Sequence, residues 1–163
     1  MRTPPSLQTL DPMLARTLSA SVLVGAATGL RSQLGVAAVV LRADQDRLPA
    51  FLRTRAAARS VIAAAGGEIL ADKSARAIDR LRPVPLAMRF ALGGVAGGLL
   101  AHAERRPVAP SAAMASVAAV LAAKVGHDLR ARAARTVPDR VVAVAEDGVA
   151  IALAVAGTNS PMR

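Results

Sequence analysis

Cysteine, tryptophan and tyrosine are absent from this sequence, and phenylalanine occurs only twice. Without cysteine the chain has neither disulfides nor thiolate metal ligands. Without tryptophan and tyrosine, a membrane protein would lack the usual aromatic belt, and a nucleic-acid binder would lack stacking platforms. Any buried core must therefore be built mainly from alanine, valine and leucine, which are small and bury little area each.

Lysine is almost as rare, because Lys73 and Lys124 are the only lysines among 21 basic residues. A coding bias towards arginine explains the asymmetry; alternatively, a retained lysine supplies a compact, titratable ammonium that arginine cannot replace. The net charge of +10 fits either nucleic acid or an anionic lipid surface. No nucleic-acid-binding motif accompanies the charge, so we expect a lipid bilayer as partner and no nucleic acid.

Long apolar segments are what the sequence has instead. Hydrophobic residues make up 53% of the chain and the mean hydropathy is +0.40. A bilayer core needs about 20 apolar residues, and the segments are separated by short charged connectors. The pattern predicts an all-α, polytopic membrane bundle of about four to five transmembrane helices, of which the second is the weakest. The segments cover residues 17–41, 56–71, 84–103, 108–126 and 139–158.

The predicted organisation is a flexible N-terminal segment (1–15), a single helical membrane domain (16–158) and a short tail (159–163). Alanine is nearly neutral for membrane insertion, so several segments are marginal spans on their own. An alternative interpretation is therefore a soluble, alanine-rich helical bundle whose basic surface binds an acidic partner.

Glycines recur at helical spacing within two of the apolar segments. In a membrane, small residues four positions apart let two helix backbones approach closely, whereas each glycine costs a soluble helix about 1 kcal/mol. We therefore predict glycine-mediated helix packing, with self-association into a homo-oligomer through these glycine faces. The pairs are Gly25 with Gly29, Gly93 with Gly97, and Gly94 with Gly98.

Charged residues inside the apolar segments are the candidate functional residues, because each costs on the order of 3 kcal/mol at membrane depth. Glu146 and Asp147 lie in the middle of the last segment and need partners, for which Arg31 and Lys124 are options. Arg89 is the only formal charge of the third segment. The predicted polar interior, structural or part of a pathway, comprises Arg31, Glu68, Asp72, Lys73, Lys124, Asp128, Glu146 and Asp147.

Several stretches resemble a known bacterial family, the domain of unknown function 4126 family of small integral membrane proteins. They are "GLRSQLGVAAV", "EILADKSARAIDRLRP", "KVGHDLRARAA" and "AEDGVAIALAV", with a Gly/Ala-rich third segment between them. The resemblance covers roughly residues 19–158 and departs from the family pattern in the Arg-rich second segment. It implies a multi-span α-helical membrane protein and no particular activity.

No residue spacing indicates nucleophilic catalysis, a metal site or a cofactor, so we expect no enzyme. The best functional hypothesis is a small transporter or channel for an ionic solute, multi-pass in the bacterial inner membrane, with a buried charged pathway. The alternative is a non-transporting membrane scaffold in which the same charges form structural ion pairs. The residues do not identify a solute.

Overall fold

The structure is a computed structural model that describes residues 12–71 and 83–159, and these residues form six α-helices. Within these residues there is no β-strand, so the all-α prediction is confirmed. Two short 3-10 turns, Gln45–Arg47 and Ala50–Leu52, follow α2. The helices are α1 (Pro12–Leu30), α2 (Leu34–Arg42), α3 (Arg55–Ala71), α4 (Pro83–Ala103), α5 (Val108–Ala133) and α6 (Asp139–Asn159).

Four of the described helices, α1, α4, α5 and α6, are long and apolar enough to cross a membrane. The outer faces of α4, α5 and α6 are apolar as well, which a soluble bundle would not tolerate over such an area. On α5 the exposed side chains recur every three or four residues and form a continuous outward stripe. The structure therefore indicates a multi-pass membrane protein whose outer surface contacts the lipid bilayer. The stripe comprises Met114, Val117, Leu121, Val125 and Leu129.

Helix α1 is the centre of the bundle and packs against α2, α4, α5 and α6. Small residues recur every fourth position along the contact faces of α1, α4 and α5, which we call the small-residue seam. A Cβ atom on Gly25 would lie 2.6 Å from the Ala115 Cα, so the two backbones nearly touch. The seam consists of Ser21, Gly25 and Gly29 on α1, Gly93 and Gly97 on α4, and Ser111, Ala115 and Ala119 on α5.

The predicted single segment 17–41 is wrong, because the helix is interrupted at residues 31–33. The Leu34 amide bonds to the Arg31 carbonyl in a turn, and α2 then folds back along α1. A Cβ on Gly35 would collide with the Val24 carbonyl and the Thr28 hydroxyl, so α2 approaches α1 as closely as glycine allows. Hydropathy alone does not reveal the break, since both arms of this hairpin are apolar.

The hairpin of α1 and α2 places the start of α1 and the end of α2 at the same end of the bundle, which we call the upper end. Arg42 at the end of α2 hydrogen-bonds Asn159 at the end of α6, and Gly157 packs against Ala20 and Val24 of α1. The turn between α4 and α5 lies at the same end, because these two helices pack antiparallel beside α1. The start of α4 and the turn 134–138 between α5 and α6 then form the lower end.

Helix α3 begins at the upper end, after the two 3-10 turns that follow α2. It begins after Arg53, whose guanidinium bonds the Leu48 and Asp46 carbonyls, and it packs mainly on α2. Its 17 residues measure about 25 Å, close to the thickness of a bilayer core. It is shorter than the four candidate spans, and it coincides with segment 56–71, which the sequence marked as the weakest.

The domain boundaries and the glycine interpretation need correction at two points. Helix α1 begins at Pro12, so residues 12–15, expected to be flexible, are helical. Among the six predicted packing glycines, Gly98 has ordinary space, since its Cβ would lie 3.4 Å from Val108. A Cβ on Gly94 would lie 2.6 Å from the movable Ser116 hydroxyl and 3.7 Å from the Ala112 carbonyl, so Gly94 also packs against α5. The other four lie in contacts within the chain, so they are not free to form a homo-oligomer.

Gly25 and Gly98, which are equivalent in sequence pattern, should respond differently to alanine. Gly25→Ala should lower the free energy of unfolding by on the order of 2 kcal/mol, because its methyl group collides with the α5 backbone. Gly98→Ala, the matched control, should change stability little. Unfolding of both purified variants in detergent micelles, followed by circular dichroism, checks this; equal losses would contradict the seam.

The hairpin predicts that Met13 and Gln45 face the same side of the membrane, whereas five alternating spans would place them on opposite sides. Because the chain has no native cysteine, single cysteines report directly on sidedness. Met13→Cys and Gln45→Cys should react with a membrane-impermeant maleimide from the same side of sealed vesicles, and Thr136→Cys from the other. Labelling of Met13→Cys and Thr136→Cys from the same side of the vesicles would exclude the hairpin arrangement.

Candidate functional site

The break between α1 and α2 brings charge into the interior of the bundle. Twelve residues separate Asn159 at the upper end from Asp147, or about 18 Å along α6. Eight more lead to Asp139 at the lower end, or about 12 Å. Asp147 pairs with Arg31, and Arg31 is the first residue of the break. The turn between α1 and α2 therefore lies at the depth of Asp147, inside the membrane-spanning part of the bundle rather than at one of its ends.

Arg31 and Asp147 form a direct ion pair at this depth. The Arg31 Nε donates to the Asp147 Oδ1 over 2.5 Å, and the two side chains are 4% and 17% exposed. The sequence offered Arg31 as one partner for the α6 acids, and the structure places it on Asp147. A buried charge that keeps its partner is tolerated, whereas removal of either partner leaves the other charge in an apolar environment.

Arg89 of α4 approaches the same break from another side. Its side chain is buried, and its Nε donates to the Gly29 carbonyl over 3.0 Å. The last four carbonyls of a helix have no partner within the helix, and the C-terminal end carries partial negative charge. Arg89 therefore caps α1 inside the bundle. The sequence marked Arg89 as a charge at depth but did not place it in the polar interior.

A second cluster lies between the break and the lower end, around Arg130 of α5. Its Nε and Nη2 donate to the two Asp139 carboxylate oxygens over 2.9 Å each, and Nη1 donates to the Glu146 Oε2 over 3.3 Å. The Glu146 side chain is only 9% exposed and lies beside Gly126. Sequence reasoning missed Arg130 because it follows the apolar part of α5, yet it is the partner of Glu146.

Lys124 and Asp128 do not belong to the interior, contrary to the prediction. Their side chains are 65% and 46% exposed and pair with each other over 3.4 Å. The reason is helical phase: positions 124 and 128 lie on the outer face of α5, whereas Gly126 and Arg130 face α6. Lys124 is thus a surface residue in an i, i+4 pair, which an arginine could form equally well.

The remaining predicted site residues fall where the structure gives no side-chain information. Glu68 belongs to the last turn of α3, with its side chain outside the described part, and Asp72 and Lys73 lie outside the described residues. Within residues 12–71 and 83–159, no group of three acidic or histidine side chains is placed to hold a metal ion. The described site thus consists of two linked charge clusters between α1, α4, α5 and α6.

No protein-family model, curated protein or solved structure matches the chain in the comparisons with known proteins.

Charge removal at the break should cost far more than at the α5 surface. Asp147→Asn should reduce the free energy of unfolding by about 3 kcal/mol, because Arg31 then stays buried without its carboxylate. Asp128→Asn, the same chemical change at the exposed pair, should cost less than about 1 kcal/mol. Unfolding titrations in mixed micelles measure both variants.

The charge-reversed double variant, Arg31→Asp with Asp147→Arg, provides the control for the pair itself. It should recover part of the stability that either single reversal loses, because opposite charges still face each other. No recovery in the double variant would mean that the pair does not stabilise the break.

Proposed function

We propose that this protein is a small membrane transporter or channel for an ionic solute, with the charged break between α1 and α2 as part of its pathway. The observation that carries the proposal is the buried Arg31–Asp147 pair at an interrupted helix. Interrupted helices at membrane depth are tolerated where they are buried in protein or line a water-filled cavity. Secondary transporters place their solute and ion sites at such breaks.

The order of charges along the bundle supports a pathway that opens at the lower end. From that end inwards, Asp139, Arg130 and Glu146 are connected by hydrogen bonds, and Asp147 follows Glu146 in the chain. Arg31 is then the innermost member of the series. Ionisable residues in membrane helices commonly line such ion or proton routes, since no apolar contact compensates for their desolvation.

The finer assignments are part of the same proposal. We place the protein in the bacterial inner membrane and relate it to the domain of unknown function 4126 family, on the motifs quoted above. One of them, "AEDG", contributes Glu146 and Asp147, which lie at the centre of the site. The solute is an ion or a proton-coupled small molecule.

A membrane scaffold is the second candidate, and it is favoured by the completeness of the contacts at the break. Arg31 is paired with a carboxylate, and Arg89 caps α1. Such contacts fix the angle at which α2 leaves α1, with or without transport. In this case the charges would be needed for folding alone.

Ion flux in proteoliposomes separates the two candidates. The purified protein, reconstituted into vesicles, is tested with imposed gradients of protons, potassium and chloride, each reported by an entrapped indicator. The proposal expects at least one gradient to decay faster than in protein-free vesicles. Glu146→Gln should reduce this flux, because Glu146 lies between the break and the lower end, while helix content in the vesicles stays unchanged.

Asp128→Asn is the matched control, because it removes a carboxylate that faces outwards and should leave the flux as in the parent protein. Absence of flux for all three ions, or equal flux in the Glu146→Gln variant, would contradict the pathway and leave the scaffold as the better description.

A further inference from the structure

A polar cleft lies at the upper end of the bundle, remote from the break. Its volume is about 210 Å³, and its walls come from the end of α2, the turn that follows, and the end of α4. Along α4, fifteen residues separate the cleft from Arg89, or about 22 Å. The residues that line it are Arg42, Asp44, Arg47, Ala103 and Glu104.

Two guanidinium groups give the cleft hydrogen-bond donors. Arg42 donates to the Asn159 side-chain oxygen, and the Arg47 Nε lies 3.8 Å from the Asp44 carboxylate, at the outer limit of an ion pair. Each guanidinium carries five N–H donors, so most of them are available to a ligand. Planar N–H pairs of this kind match the oxygens of a phosphate group.

Glu104 gives the cleft a carboxylate that lacks a donor. It follows the last residue of α4 and is half-buried, yet no hydrogen bond or ion pair reaches its side chain from the described residues. Burial raises the pKa of the Glu104 carboxyl, although the charges of Arg47, Arg106 and Arg16 oppose this rise. A carboxylate in this position gains most from a ligand that brings both N–H donors and positive charge.

We propose that this cleft binds a phosphoethanolamine group, with its phosphate on Arg42 and Arg47 and its primary ammonium on Glu104. A lipid headgroup is the expected source, because the cleft lies where α2 and α4 end, at the level of bilayer headgroups. A trimethylated amine lacks N–H donors for Glu104. A headgroup without a cation leaves the Glu104 carboxylate without a hydrogen-bond donor and without a positive charge beside it. A divalent metal ion alone brings no acceptor for Arg42 and Arg47, whereas phosphoethanolamine brings a phosphate to them.

Native mass spectrometry of the protein in an uncharged detergent tests the headgroup directly. The protein is titrated with dioleoyl phosphatidylethanolamine, the corresponding phosphatidylcholine, the corresponding phosphatidylglycerol, and free phosphoethanolamine. Phosphatidylethanolamine should bind about tenfold more tightly than phosphatidylcholine, as expected for one charge-assisted hydrogen bond. Free phosphoethanolamine should bind more weakly than the lipid.

Glu104→Gln should abolish the preference for the primary amine while phosphate binding persists, and Arg47→Gln should weaken all three lipids. Asp46→Asn is the matched control, since Asp46 belongs to the same exposed turn but not to the cleft wall. It should leave the preference unchanged. Circular dichroism confirms that each variant keeps its helices.

Equal affinity for the ethanolamine and choline lipids would overturn the proposal, and so would tightest binding of phosphatidylglycerol, which indicates a phosphate site without an amine site. Free phosphoethanolamine binding as tightly as the lipid would support the recognised group but refute the lipid as its source. Loss of the preference in Asp46→Asn would refute the assignment to this cleft. These outcomes do not depend on ion flux through the break.

Discussion

The close approach of the α1 and α5 backbones is the constraint on which the rest of this structure depends. A chain with almost no aromatic residues cannot fill wide spaces between helices, so its helices must lie close together. In lipid, apolar side chains gain little when they exchange contacts with lipid tails for contacts with another helix. Close packing of the backbones is therefore itself the main source of helix association. Gly25 and Gly29 let α1 contact the Ala115 and Ala119 backbones, and Gly93 and Gly97 bring α4 to the same strip of α5.

The seam also determines how polar groups are accommodated in the interior. Buried hydroxyls on α1 mostly bond within their own helix: Ser21 donates to the Thr17 carbonyl and Thr28 to the Val24 carbonyl. Ser21 is small enough to fit the seam, and Thr28 fits against Gly35 of α2; neither hydroxyl needs a partner from a neighbouring helix. Charged groups are too large for the seam, and the buried ones among the described residues lie at the end of α1 or beyond it, where there is room. The break at Arg31 is therefore the natural position for interior charge.

Part of this arrangement is readable from the sequence, because it follows from local pattern. The bounds of α4 and α6, the glycine spacing and the buried position of Glu146 and Asp147 all come from helical periodicity and hydropathy. The break at Arg31 is not readable in the same way, since a hydropathy window averages over a three-residue turn between two apolar arms. The pairing of Glu146 with Arg130 rather than Lys124 depends on the phase of α5, which only the packing of α5 against α6 fixes.

The identity of the buried cations follows from their surroundings. Both cations that the structure places deep inside the described bundle, Arg31 and Arg89, are arginines, whereas Lys124 is exposed. A guanidinium is more weakly hydrated than an ammonium and directs several N–H groups in one plane, so it loses less on burial and can bind a carboxylate or a backbone carbonyl. Arg31 uses this for Asp147 and Arg89 for the Gly29 carbonyl. The scarcity of lysine is therefore consistent with the interior of this bundle. Lys124 does not support the hypothesis that a retained lysine supplies an irreplaceable ammonium, because its side chain is exposed.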